Sequence, residues 1–404
     1  MSVDYDPFSE EAMRDPYPLY RRLRAESPIH YIESFDAWAL ARFEDVWTAS
    51  MDDANLTATR GTTTPYLLTR VLAPIANLAH MDPPAHRALR SELAPFYLPR
   101  RVRSLEPVVR RLVAECIDRF ADAGVADVVE ELAQIVAARV ACIASGFPES
   151  DAEYLSGLVK RTVARPEGVV GMSEDGRAAF AEKEAYLGRL ARERRAHAGP
   201  PENPLDVYLH AQIDGVPLDE ASLAQHLILF VNGGTDTLPK AFASAVLQLW
   251  RHPDQRREVA ADPGLLAQAV RESLRFDTPT HFMMRSVVCS FELGGRKLKP
   301  GQPVLLLHAS ANRDEREFDA PDRFDIHRKP LRFLSFGTGT HRCLGAHVAE
   351  LQLRVMLEEL LRRFPDYEVD LSDAQRARSE FIQGYTRLPV HFQRRARSGA
   401  VGSV

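Results

Sequence analysis

Apolar residues recur at helical spacing over most of this chain and alternate over little of it. The pattern predicts helices over 19–25, 103–123, 126–145, 150–165, 174–197, 222–250, 267–276 and from 346 to about 364. Short strands are predicted at 29–32, 38–41, 286–293 and 302–307, and a strand-turn at 381–385. Residues 52–79 carry neither period, and a loop of that length usually serves function or moves. Pro166–Gly171 separates two helices, with Gly168 and Gly171 as suitable hinges.

The helix over 222–250 is the longest and would cross the whole domain. It is apolar nearly all round from Leu223 to Val231, which marks it as buried. Its middle breaks the pattern with Gly233, Gly234, Thr235, Asp236 and Thr237. Pro239 cannot donate to the Thr235 carbonyl and clashes with it, so the helix should kink or open between Gly233 and Pro239. A buried acid and alcohol beside such a turn are costly unless used. Either Asp236 reaches a salt bridge at a structural kink, or the pair does chemistry.

Composition narrows the class. At 404 residues and 45% hydrophobic, the chain can bury a substantial core. It shows no linker, repeat or low-complexity run, so one domain over 1–404 is expected, with 394–404 as a frayed tail. A net charge of −5 gives no global attraction to nucleic acid or anionic membranes. Cys116, Cys142, Cys289 and Cys343 have no paired spacing, which fits a reducing compartment. The acidic N-terminus has neither a signal-peptide core nor a membrane anchor, so a cytoplasmic location is expected.

The candidate chemistry gathers at Phe336-Gly337-Thr338-Gly339-Thr340-His341-Arg342-Cys343-Leu344-Gly345. Cys343 sits just before a helix, where unpaired N–H groups and the helix dipole favour thiolate over thiol. The glycines let backbone pass close to something flat and large. An open thiolate is a soft metal ligand. Plainer readings are a small buried hydrophobe, a phosphate-binding helix start, or a zinc site using His341, Cys343 and His347. Upstream, Asp82 precedes two prolines as a helix start, and His86 and Arg90 share the face that follows. Glu272 and Arg275 share a helix face at i,i+3.

The cysteine loop resembles the FxxGxxxCxG signature of the haem-thiolate monooxygenases, the cytochrome P450 family, at every fixed position. Residues 80–90 resemble the family's MDPPxHxxxR segment, 233–237 its [AG]Gx[DE]T motif, 272–275 its ExxR, and 321–324 its PxRF element. The resemblance implies a mainly α fold, a helical triangular prism with small β-sheets, of the bacterial soluble type. It implies haem b (iron protoporphyrin IX) with Cys343 as the iron's axial ligand, within a loop bounded by Phe336 and Gly345. His86, Arg90, Arg285 and His341 would bind the propionates. Asp236 and Thr237 would deliver protons, although Leu238-Pro239 departs from the family's commonly polar continuation. Glu272, Arg275 and Arg323 would form a buried structural clamp. Phe282, Met283, Met284, Ile382 and Gln383 would face a small to medium apolar organic substrate. The implied partners are O2 and a ferredoxin or flavodoxin with its NAD(P)H-dependent reductase, docking near Arg342 and the Arg100, Arg101 and Arg103 cluster. A peroxygenase using H2O2, and a haem-thiolate protein that binds gas without turnover, are the rival activities. Peroxygenase relatives lack the acid–alcohol pair and a gas-binding protein would leave it idle, so Asp236-Thr237 argues against both.

Overall fold

The computed structural model describes residues 3–197, 199–213 and 215–393, so the expected frayed tail at 394–404 lies outside the described residues. Among the described residues, the helices that line the central cavity or pack behind it are α1 (Ala85–Leu93), α2 (Glu106–Phe120), α3 (Gln134–Ser145), α4 (Ala152–Val163), α5 (Glu174–Arg195), α6 (Glu220–Thr235), α7 (Thr237–Arg251), α8 (Leu266–Phe276) and α9 (Ala346–Arg363). One core packs α2, α3, α7, α8 and α9 through Val109, Val136, Phe242, Val246, Leu274 and Met356. A second packs α1, α4, α5 and α6 through Leu89, Leu155, Leu187 and Leu227. Helices therefore carry most of the apolar burial, as their periodicity requires.

Five strands form the main sheet: β1 (Ile29–Ile32), β2 (Ala37–Leu40), β3 (Leu56–Thr57), β4 (Met283–Val287) and β5 (Pro303–Leu306), in spatial order β1-β2-β5-β4-β3. Within it β5 and β2 run parallel and the other neighbours antiparallel. The register sets Leu305 opposite Met284 and Val304 opposite Arg285. Alternation then sends Met284 and Leu305 into a core beneath the sheet and turns Met283 and Arg285 the other way, toward the cavity.

The long helix breaks where Pro239 requires. α6 ends at Thr235, α7 starts at Thr237, and Asp236 between them has φ −102° and ψ −42°. The Thr235 carbonyl that Pro239 cannot serve accepts instead from Gln134 Nε2 of α3, at 2.9 Å. Side-chain rescue of this kind lets a proline sit inside a buried helix. α3 also crosses α6 closely: a Cβ on Gly234 would lie 2.6 Å from the Ala141 Cβ, so glycine is needed there.

Several expectations shift. Residues 126–145 are not one helix. Val125–Asp127 pairs as a strand with Pro389–His391, and a π-helical turn, Val128–Ala133, precedes α3. Asp127 caps that turn by accepting from the Val129 and Glu130 amides. The strand expected at 286–293 divides into β4 and a separate hairpin strand, Phe291–Leu293. Of the strand-turn at 381–385, Ile382 forms a bridge to Thr280 and a strand starts only at Tyr385. Asp82 does not cap α1; its carboxylate accepts from Thr57 Oγ1 and the Ala58 amide, tying β3 to the start of that helix.

The clamp forms with one member changed. Glu272 and Arg275 are fully buried and bond through two parallel contacts of 2.7 and 2.8 Å. Arg275 Nη1 also donates to the Asn312 and Pro321 carbonyls. Arg323 does not join: it pairs with Asp325 at the surface, its side chain 70% exposed. The third member of the clamp is Arg328, whose Nε donates to Glu272 at 3.2 Å. The turn over 319–323 directs the carbonyls of Asp319, Ala320 and Arg323 at one point, and the five-donor guanidinium of Arg328 fills it.

Replacing Glu272 with Ala strands two guanidinium groups and should cost about 3–5 kcal/mol in equilibrium unfolding. Arg323→Ala should change stability by only about 0–1 kcal/mol, as an exposed pair does. Equal losses from both would restore Arg323 to the clamp.

Candidate active site

A cavity of about 510 Å³ lies between the α6/α7 break and the loop over 336–345. Its wall includes α1, the end of α4, β4 and the segment over 62–66 that precedes α1. Phe336, Cys343 and Gly345 all line it. The loop keeps its shape through the Cys343 amide, which donates to the Phe336 carbonyl at 2.8 Å. Gly339 has φ +70°, and a Cβ there would lie 2.6 Å from the Ser50 carbonyl, so the loop can pack on the helix over 43–51 only with glycine.

The Cys343 side chain is exposed into the cavity, and the protein packed around that cavity pushes its thiol pKa up by desolvation. The Gly345 N–H, Arg90 and Arg342 pull the other way without prevailing. The helix start and the two arginines thus act to favour thiolate, and the surrounding protein acts against it.

On the same side sit His86 of α1, His341 of the loop and Arg285 of β4. Both ring nitrogens of His86 and Nε2 of His341 are buried without a hydrogen-bond partner. The two rings lie 4.5 Å apart, centre to centre. Burial, with Arg90 beside it, holds His86 down to about 4. Burial, then Arg285 and His86, holds His341 down to about 2. In the chain by itself both imidazoles are thus held neutral, each with one N–H to donate. Arg285 is nearly fully buried and donates to its neighbour's carbonyl, Met284 O, at 2.8 Å. Burial lowers it to about 10 against the pull of Asp82 and Asp53. Arg90 donates to the Arg342 carbonyl beside the cysteine. These donors suit a ligand with carboxylates at one edge, and the sulfur suits a soft metal at its centre. Room exists for its plane: a Cβ on Gly233 or Gly345, across the cavity from one another, would meet nothing within 4 Å. No group of three or more His, Cys, Asp or Glu side chains could hold a metal ion among the described residues, so His341, Cys343 and His347 do not make a zinc site. His347 lies 3.6 Å from Glu350 instead.

The broken helix supplies the opposite wall. Thr237 lines the cavity and donates to the Gly233 carbonyl at 3.3 Å. Asp236 also lines it, but its Oδ1 is held by buried Lys240, one turn on, which donates to the Asp236 carbonyl as well. The salt bridge weighed for the kink is therefore present, and the acid is at the cavity too. Lys240 is not among the residues singled out from the sequence, although an i,i+4 acid–lysine pair is legible there.

Of the substrate-wall candidates, Met283 and Ile382 line the cavity. Phe282 and Met284 do not: both face the core under the sheet, because Met283 takes the cavity side of β4. Gln383 turns away to donate to the Thr278 carbonyl and the Tyr17 hydroxyl. Tyr66, His80, Asn232, His308 and Phe381 line the cavity and are not among the candidates from the sequence. Asn232 lies on α6, Tyr66 and His308 on one-turn helices, and His80 and Phe381 in loops, so no single period marks them.

The sequence profile of the family described as Cytochrome P450 matches residues 260–383. The chain is similar to the putative cytochrome P450 123 of Mycobacterium tuberculosis (strain ATCC 25618 / H37Rv), 34% identical over 96% of this chain and 97% of that one. It is similar to the cytochrome P450 monooxygenase PikC of Streptomyces venezuelae, 31% identical over 98% and 96%. Among solved structures, CalO2 superposes with a TM-score of 0.84 at 31% identity, covering 97% of this chain and 99% of that one. No helix among the described residues is long and apolar enough to cross a membrane. With such relatives aligned over nearly its whole length, the chain belongs to the cytochrome P450 family, as a monooxygenase whose cofactor is haem (iron protoporphyrin IX).

Proposed function

We propose that Cys343 ligates the haem iron and that this site hydroxylates or dealkylates a small to medium apolar organic substrate. The observation that carries this is the convergence of the Cys343 sulfur, the unpartnered His86 and His341 donors and buried Arg285 on one cavity. Haem held there activates O2 for insertion of one oxygen atom into a C–H bond. His86, Arg90, Arg285 and His341 would bind its propionates, the histidines as neutral donors. Metal coordination would take up the Cys343 thiolate that burial disfavours.

Thr237 stands ready to move a proton. Its hydroxyl donates to the Gly233 carbonyl at 3.3 Å, a long contact that is readily exchanged for one into the cavity. Asp236 would resupply that proton through Oδ2, since Lys240 holds Oδ1. This pair favours O2 over H2O2 as oxidant, and turnover over simple gas binding. The apolar wall of Ile228, Leu229, Met283 and Ile382 would exclude water and hold the substrate by burial.

Electrons would come from a ferredoxin or flavodoxin with its NAD(P)H-dependent reductase. Arg100, Arg101, Arg103 and Arg342 are exposed, and the helix Pro99–Arg103 packs against α9, the helix that follows Cys343. An acidic partner docked there would sit on the cysteine side.

Replacing Cys343 with Ala should abolish the red-shifted carbon-monoxide band of a reduced thiolate haem; a retained band would assign the ligand elsewhere. Thr237→Ala should divert most reducing equivalents from product to H2O2, seen as product formed per NADH consumed. Unchanged coupling would route the proton through other groups. Reversing Arg100, Arg101 and Arg103 to Glu should slow reduction by an acidic ferredoxin and flatten its salt dependence, and an unaltered rate and slope would remove the docking surface.

A further inference from the structure

Lys183 of α5 is fully buried with no carboxylate paired to it among the described residues. Its ammonium donates to Asn232 Oδ1 at 2.7 Å and to Thr162 Oγ1 at 3.4 Å, and lies 5.6 Å from the centre of the Phe180 ring. Asn232, Thr162 and Phe180 all line the cavity. The acid one turn along from Asn232 is Asp236, which is taken by Lys240. Burial lowers Lys183 to about 7, against the pull of Asp236, so pH 6 favours the charged form, which can only donate, as its contact with Asn232 Oδ1 requires.

That fixes the amide of Asn232. A donor-only partner must take Oδ1, and what Asn232 has left for the cavity is its Nδ2–H2 group. No acceptor among the described residues bonds Nδ2, and Asn232 is half-buried at the wall. An aliphatic molecule pressed against it would leave two donors unmet, which a site of this kind rejects. Asn232 stands one turn before the break at Asp236 and lines the same cavity as Thr237, so a group bound to it shares the space that Thr237 faces.

We propose that Asn232, oriented by Lys183, is a specificity-determining donor, and that the substrate is an apolar molecule carrying a hydrogen-bond acceptor, a carbonyl or ether oxygen, which Asn232 Nδ2 binds. This rests on the haem reading above and narrows its substrate class. Asn232 would touch the substrate; Lys183 is a positioning residue that acts through it.

The test uses the haem-loaded full chain at pH 6 and N-phenylimidazoles, whose imidazole coordinates iron whatever the pocket prefers. The phenyl ring carries an acetyl group, or the isosteric isopropenyl group, at the ortho, meta or para position. At least one acetyl isomer should bind roughly tenfold tighter than its isopropenyl partner, the worth of one well-made hydrogen bond. Asn232→Leu should bring that ratio close to one. Asn232→Asp would give one oxygen to Lys183 and turn the other to the cavity, so a 1-hydroxyethyl group should then outbind acetyl. Lys183→Met should lower the ratio by freeing the amide to flip, a loss of selectivity that a purely structural role would not produce. Wild type that prefers no acetyl isomer, or a ratio that survives Asn232→Leu, overturns the proposal. No imidazole-induced shift and no thiolate carbon-monoxide band in wild type would sink the haem reading and this inference with it.

Discussion

Buried donors without protein acceptors are the constraint on which this structure turns. His86 and His341 present unpartnered ring nitrogens to a common cavity, beside buried Arg285. Taking such groups out of water is expensive unless something accepts from them. The Glu272 clamp shows the opposite condition within the same chain. There a fully buried carboxylate meets Arg275, Arg328 and the Asp325 amide, and Arg275 directs its remaining donors at carbonyls. One buried polar cluster is complete within the chain. The other is complementary to a ligand with carboxylates at its edge, and the Cys343 sulfur, disfavoured as thiolate by burial, is complementary to a metal at its centre.

The helix break meets that cavity from the other side and is built by a chain of local necessities. Pro239 removes a hydrogen bond; Gln134 replaces it; Gly234 lets α3 come close enough to do so. The interruption turns Asp236 and Thr237 to the wall in place of two more aliphatic residues. A continuous helix would satisfy the backbone more simply, so the chain gives up regularity where the cavity gains polar groups.

What could be read from the residues alone follows the range of the physics involved. The break at Pro239 depends on one ring and one carbonyl, and it was legible. So was the glycine loop running into a helix at Ala346, because each signal is local. Two errors came from parity and distance. Met283 and Met284 are equally apolar, and only the pairing with Val304 and Leu305 decides which one faces the cavity. Arg323 and Arg328 are equally basic, and only the inward carbonyls over 319–323 select the second. The pairing of Lys183 with Asn232 joins residues 49 apart on separate helices, and no periodicity signals it.

Asn232 and Asp236 occupy one face of one turn, and each is held by a buried lysine. The two lysines do different things. Lys240 is an ion pair within a single helix, so it travels with Asp236 and fixes the acid relative to Thr237. Lys183 belongs to α5, beyond the glycine-bearing loop over 166–171, so its hold on Asn232 ties a separate helix to the broken one. The negative charge of Asp236 supports the Lys183 ammonium against burial. The acid that would relay protons therefore also favours the charged lysine that orients the amide. Under the proposed roles, substrate recognition and proton supply would be coupled through one carboxylate, whose charge acts on Lys183.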